Sequence, residues 1–457
     1  RQRQMCIRDR PEEGATLRPH APIYIDGNDA FTPENGVVSG SGTQEDPYII
    51  EGWRIQESRG PAIKIRETNA HFIIRSCEVA EAKASGIVFF KVRNGRVEGC
   101  QISDSPGNSG IVLIESYDNR IVGNALCRLK NGILLSGSQN NLVARNSTEL
   151  TEHHGIALFT SDDNVLEGNA TFSSSGHGIK LFGASNNILA WNEARFNWIG
   201  IEIRDLDDQG VFSIRNIILG NSSSDNIEDG IRLLRAMDTV VVHNFFSNNH
   251  EVGIRLYESS GSNIYHNNFF CNALNAFDLA ANENHWDNGS EGNYWSDCSG
   301  WDGDGDGISD FPYRIEGGGI DHYPLMRPWK PSVVAMGIKF TGPDEFVTVR
   351  NWGEDGVDLT GWQLQSLDLE TREVHHIFLF PDGCILPADG RLRVHSGPES
   401  VGKENEPCGA TELDLYCGWQ DVEEGAVVWD DVGGVVRLIN SRGEVVDEYE
   451  YHWWRGE

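Results

Sequence analysis

GILLSGSQNNLVARNSTELTEHHGIALFTSDDNVLEGNATFSSSGHGIKLF, residues 132–182, decides the fold. Three times a glycine is followed by isoleucine and a short alternating run, at Gly132, Gly155 and Gly178. Twice an asparagine is followed five residues later by another, Asn141 by Asn146 and Asn164 by Asn169. Segments such as NLVARN and NVLEGN are too short for helices and alternate as strands do. Working outward, the glycine recurs at Gly86, Gly110, Gly200, Gly230 and Gly253, every 22 to 24 residues except for one interval of 30 between Gly200 and Gly230, and Pro61-Ala62 and Ala276-Phe277 extend the series. The paired asparagines recur as Asn119 and Asn124, Asn187 and Asn192, Asn216 and Asn221, and Asn263 and Asn268. A repeat of this length built from short strands is one coil of a solenoid, each strand pairing with its equivalent one coil away. The reading is an all-β chain with a right-handed parallel β-helix of about ten coils over 61–296.

Stacked asparagines suit such an axis, because each amide both donates and accepts a hydrogen bond. Asn146, Asn169 and Asn221 also read as glycosylation sequons, but inward ladder positions make poor acceptors; Asn288 remains open as one. Cys77 and Cys100 are one coil apart and fall in the column of Asn124. That spacing satisfies either a disulfide or two stacked buried thiols.

At 457 residues the chain exceeds one core, so at least two structural units are expected. A formal net charge of −32 disfavours nucleic acid and anionic lipid as partners and leaves calcium and glycans. No run of 18 apolar residues is present, so no membrane span is expected. The opening decapeptide RQRQMCIRDR reads as a non-native artefact, which places a true export signal upstream of it. Nine cysteines without a CxxC pair do not form a disulfide scaffold.

An open β-helix requires capped ends. Residues 11–60, including APIYIDGNDAFTPENG, are read as the N-terminal cap, and 297–328 as the C-terminal cap. With the asparagine-punctuated coils and the motifs GNYWSD, DGDGDGISDFPY and HYPLM, residues 21 to 328 resemble the NosD-like β-helix family, within the carbohydrate-binding and sugar-hydrolase repeats. That resemblance implies export, an extracytoplasmic place and, through NosD itself, a link to copper-enzyme maturation. After a connector at 329–332, the DLTGW turn, the LPADGRLRV strand and the WDDVGG to VVDEYEY ending make 333–457 similar to a lamin-tail domain. The short strands between Gly/Asp turns independently predict an immunoglobulin-like β-sandwich, with Trp362 and Trp429 in its core.

Chemistry is sought in three places. Asp302, Asp304, Asp306 and Asp310, with Gly307, follow the spacing of an EF-hand-like calcium loop; Tyr313 stands where a bidentate glutamate belongs, so Asp297 or Asp321 would complete the shell. The expected role is to pin the cap. Second, residues between the inward aliphatics of each Gly-Ile strand form an outward column ending Lys180, Glu202, Arg232, Arg255 and Asp278, beside Phe159, Phe182, Arg204, Leu234 and Tyr257. Charge beside exposed rings suits carbohydrate, with ion pairs Lys180–Glu202 and Arg255–Asp278 as the purely structural reading. The 30-residue coil adds an acidic loop, whose Asp205, Asp207 and Asp208 would serve a lyase, hydrolase or epimerase as acid and base, with Arg232 or Arg255 orienting a uronate. Third, His154 and His177 stack beside Glu152 and His153, as a soft-metal site would require. The pair Asp162-Asp163 with Gly176-His177-Gly178 resembles polygalacturonase signatures, but 14 residues from Asp163 to His177 is less than a coil, which separates the groups around the axis.

The reading that results is a secreted or cell-surface binding protein, its β-helix meeting glycan and its C-terminal domain serving attachment or a protein partner. An enzyme acting on polysaccharide near 202–255 and a copper accessory protein are the alternatives.

Overall fold

The computed structural model describes residues 17–452 except 207–209, 280–282, 331–332, 340–344, 352, 354, 369–370, 389, 411, 417, 421–427, 430–432 and 444. A first unit ends at Trp329 and a second begins at Lys330.

In the first unit each coil gives one short strand to each of three sheets, which hold eleven, eleven and twelve strands among the described residues. The first sheet carries the Gly-Ile strands, such as His177–Phe182, Ile199–Arg204 and Val252–Tyr257. Its register is a column: Ile156, Ile179, Ile201, Ile231 and Ile254 stand over one another, and all are buried. The stack is longer than the expected ten coils. Ile23–Asp26, Tyr48–Glu51 and Trp53–Gln56 already pair in parallel with Ile63–Thr68, Phe72–Arg75 and Glu78–Ala80. The stretch read as an N-terminal cap is therefore a coil in its own right, with Val37–Ser39 lying antiparallel against Tyr48–Glu51.

The coil glycines owe their place to packing. A Cβ on Gly155 would lie 2.6 Å from the carbonyl oxygen of Gly178, and one on Gly200 2.5 Å from that of Gly230. Any side chain there would force the coils apart. Asparagine ladders run beside them. Asn119, Asn141, Asn164, Asn187 and Asn216 pass amide hydrogen bonds from coil to coil, as do Asn124, Asn146, Asn169, Asn192, Asn221, Asn244, Asn267 and Asn293. Asn263 and Asn268 are not members: Asn263 begins a strand and stands opposite Val240 of the preceding coil, and Asn268 exchanges hydrogen bonds with the backbone of Trp329. A third ladder, Asn197, Asn226, Asn249 and Asn272, was not anticipated.

Cys77 and Cys100 are free, buried thiols whose sulfurs donate to the carbonyls of Ile50 and Ile74, so the disulfide alternative is overturned. The column places the sulfurs where an asparagine amide otherwise sits, and packing is satisfied without a bond. A disulfide does join Cys384 to Cys408 in the second unit.

The far end of the core closes on an aromatic pile, Phe246, Phe269, Trp295 and Tyr313, with successive centroids 4.8, 4.4 and 4.2 Å apart. Isolated bridges from Glu316 to Phe277 and from Leu325 to Tyr294 cover strand edges that would otherwise be unpaired.

The second unit is a β-sandwich. A four-stranded sheet (Val333–Lys339, Glu345–Asn351, Arg391–Ser396, Glu412–Leu415) is accompanied by a five-stranded one that includes Gln363–Leu367, Gly433–Ile439 and Val445–His452. Val347, Val394, Leu364, Phe378, Leu438 and Trp429 are buried, whereas Trp362 is only half-buried and so is not the core residue expected of it.

Candidate functional site

The outward face of the first sheet carries the charges that the alternation predicted. Side chains of successive residues point to opposite faces, and the register aligns Lys180, Glu202, Arg232 and Arg255 in one row and Phe159, Phe182, Arg204, Leu234 and Tyr257 in the next. The first row then continues to Phe277, not Asp278. Asp278 faces inward opposite Leu256, fully buried, and accepts hydrogen bonds from Trp286 Nε1 at 3.0 Å and Asn284 Nδ2 at 3.1 Å. It is a cap residue, and the expected Arg255–Asp278 pair does not form.

Two charge clusters occupy the face. In one, the Glu202 carboxylate lies 2.8 Å from Lys180 Nζ and 3.0 Å from His177 Nε2. His177 stacks on His154, with centroids 5.0 Å apart, and its backbone N–H donates to His154 Nδ1. Burial of Glu202 raises its pKa, but the His177 hydrogen bond and the His177 and Lys180 charges outweigh it and hold the carboxyl at about 2. Burial, followed by the charges of His177 and Lys180, holds His154 down at about 3. A carboxylate held so low remains ionised and is no proton donor near neutrality.

The other cluster centres on Asp229, which is fully buried and which sequence reasoning missed because the residue precedes the coil glycine. It pairs with Arg232 at 2.5 Å and with Arg255 at 2.9 Å, while Glu228 and Glu251 take the outer guanidinium nitrogens at 2.7 and 2.9 Å. Asp205, nearly buried, pairs with Arg235 at 3.1 Å. The other two aspartates of that loop, Asp207 and Asp208, lie outside the described residues.

Rings border the charges. Lys180 and Arg204 lie 5.7 and 5.1 Å from the Phe182 centroid, and Arg255 5.7 Å from that of Phe277. Tyr257 at one edge and Trp198 at the other are each 42% exposed. Trp198 was also missed. It holds the turn position between Gly176 and Glu228, where neighbouring coils carry no aromatic to advertise it.

The acidic loop sits in the C-terminal cap. Asp302, Asp304 and Asp306 offer carboxylate oxygens within 4.8 Å of one another. Asp302 also accepts the backbone N–H groups of Gly305 and Gly307, the latter at positive φ. Asp310 instead accepts the Gly303 N–H. Asp297 is engaged by Tyr313 and Asn275, and buried Asp321 by Asn293, Trp295 and Tyr323. The paired Asp162 and Asp163 occupy the turn ahead of the Asn164 ladder position, where burial and then the Asp162 charge raise Asp163 to about 6.

These features define a parallel β-helix protein with one charged, aromatic-edged sheet face and a sandwich appended. The family described as periplasmic copper-binding protein (NosD) matches residues 37–212 and 128–300, and the lamin tail domain matches 331–452. The chain belongs to the NosD family and carries a lamin tail domain. Among solved structures it is similar to the periplasmic alginate epimerase AlgG (14% identity, 55% of this chain and 70% of that one, TM-score 0.38). It is also similar to the Dettilon tailspike protein gp208 (14%, 75% and 85%, 0.37) and to the A-module of the Azotobacter vinelandii mannuronan C-5 epimerase AlgE4 (17%, 52% and 67%, 0.30). No curated protein matches the chain. Among the described residues no helix is long and apolar enough to cross a membrane.

Proposed function

We propose that this chain is an extracytoplasmic carbohydrate-binding protein, its β-helix taking a glycan across the charged face and its lamin tail domain serving attachment or a protein partner. The observation that carries the reading is the pair of exposed rings, Trp198 and Tyr257, bracketing polar groups two coils apart, roughly 10 Å along the axis. Sugar rings stack their C–H faces on such aromatics while hydroxyls meet carboxylates and guanidinia. The expected result is retardation of the full chain in gels containing polysaccharide, reduced at least tenfold in affinity by Trp198→Ala and by Tyr257→Ala. Retardation by no polysaccharide, or retardation of both variants equal to that of the unaltered chain, rejects the reading.

The extracytoplasmic place is supported by the family's description as periplasmic. The same description names copper. Stacked His154 and His177 are a soft-metal candidate, yet His177 Nε2 is engaged with Glu202 and a Lys180 ammonium lies 3.2 Å from it, which opposes a cation. Glycan binding is therefore the better-supported reading.

The Asp302, Asp304 and Asp306 group is proposed to hold calcium and to pin the cap. Three hard oxygens with a glycine-permitted tight turn fit the ion, backbone or water oxygens supplying the rest. Calcium at a hundred times its Kd is expected to add about 2.7 kcal/mol to the first unit, read as a rise in melting temperature that Asp304→Ala abolishes. An unchanged melting temperature with calcium or with chelator rejects the proposal.

A further inference from the structure

We infer that the glycan this face accepts is uncharged, an inference that rests on the carbohydrate-binding reading above. Rows of lysine and arginine on a sugar-binding face ordinarily invite a polyanion such as a uronate. Here four of the cations already have their anions. Lys180 is held by Glu202 at 2.8 Å, Arg232 by Glu228 at 2.7 Å and Asp229 at 2.5 Å, Arg255 by Asp229 and Glu251 at 2.9 Å each, and Arg235 by Asp205 at 3.1 Å. Among the described residues, with Arg204 included, five lysine and arginine side chains stand against five carboxylates.

Two of those carboxylates cannot swing aside. Asp229 is fully buried and Glu202 is 4% exposed, so an incoming uronate would add a third charge to a closed pair instead of completing an open one. Leaving Asp229 or Glu202 buried without a cation costs several kcal/mol, which a surface-formed ion pair does not return. The long-range field points the same way, since a chain of net charge −32 repels polyanions before contact. What the clusters do present is a dense array of hydrogen-bonding oxygens and N–H groups with balanced charge, flanked by Trp198, Phe182 and Tyr257. That array suits hydroxyls.

The test pairs polymers of the same sugar configuration that are charged or neutral at C6, polygalacturonate against its fully methyl-esterified form and mannuronan against β-1,4-mannan, in affinity electrophoresis of the full chain. The inference expects at least one neutral member to bind tenfold more tightly than its acidic counterpart. Its affinity should change less than twofold between about 50 and 500 mM salt, because screening has no net charge to act on. Glu251→Gln, at a side chain 51% exposed, should free one face of Arg255 and raise affinity for the acidic member at least threefold. Glu228→Gln is the second variant, freeing Arg232 in the same way. Tighter binding of the acidic member by the unaltered chain, weakening as salt rises, overturns the inference and leaves carbohydrate binding standing. Binding of no polymer of either kind removes both.

Discussion

Asn169→Leu is expected to destabilise the β-helix by about 4 kcal/mol, the sum of several orphaned buried polar groups at 1–3 kcal/mol each. Leucine keeps the volume and removes every polar atom of the side chain. Asn169 is fully buried; its Oδ1 accepts from the backbone N and the Nδ2 of Asn146, each at 3.0 Å, and its Nδ2 donates to Val143 O at 2.8 Å and to Asn192 Oδ1 at 2.9 Å. The variant strands the Asn146 backbone N–H and removes the partner of one Asn146 Nδ2 hydrogen bond and of the Val143 carbonyl, while Asn146 Nδ2 keeps Ile121 O. Urea unfolding of the full chain, with hydrogen exchange followed in peptides covering 142–149 and 165–172, measures the effect. A loss below about 1 kcal/mol would mean that the ladder relaxes around a gap, and would deny the asparagines their structural role.

Glu202→Gln is the second large effect, expected to cost about 3 kcal/mol at pH 7. Removing one partner of a buried pair leaves the Lys180 ammonium without its counter-charge and His177 Nε2 with a weaker hydrogen-bond partner, which costs more than the pair itself contributes. The pH dependence separates charge from shape. With a carboxyl at about 2 in the folded chain against 4.5 otherwise, this contribution is fully present above pH 4.5 and is lost as pH falls through 2. The shift corresponds to on the order of 3 kcal/mol. The stability gap between the natural chain and Glu202→Gln should therefore be widest near neutrality and narrow steadily below pH 4.5. A gap of the same size at pH 7 and pH 3 would assign the loss to packing instead.

The two effects differ in what they reveal about function. The Asn169 ladder holds the coils in register and so positions every residue of the sheet face, but it touches no solvent. Glu202 belongs to the face itself. It is buried and paired with Lys180 and His177, and Asp205 with Arg235 repeats the pattern in the long coil, whose Asp207 and Asp208 lie outside the described residues.

The periodic text was sufficient for the architecture. Glycines at one interval and asparagines at the same interval define which residues stand over which, because a Cβ at Gly155 or Gly200 would meet the next coil's carbonyl and because an amide can pass a hydrogen bond along an axis indefinitely. From that alone came the parallel β-helix and the row Lys180, Glu202, Arg232 and Arg255, while the sandwich after it was legible from short strands between Gly/Asp turns. Only the tertiary structure decided the rest. Where the repeat ends, a slip of one residue turns a side chain from outside to inside, so Asp278 proved to be a buried cap ligand of Trp286 while Phe277 kept the outward place, and Asn267 displaced Asn268 from its ladder. Ion-pair partners such as Asp229 and edge rings such as Trp198 sit at turn positions without a period of their own, and the thiols of Cys77 and Cys100 had two geometries equally compatible with one coil's spacing. A repeat determines stacking; which side chains meet at its edges and ends depends on packing that no period encodes.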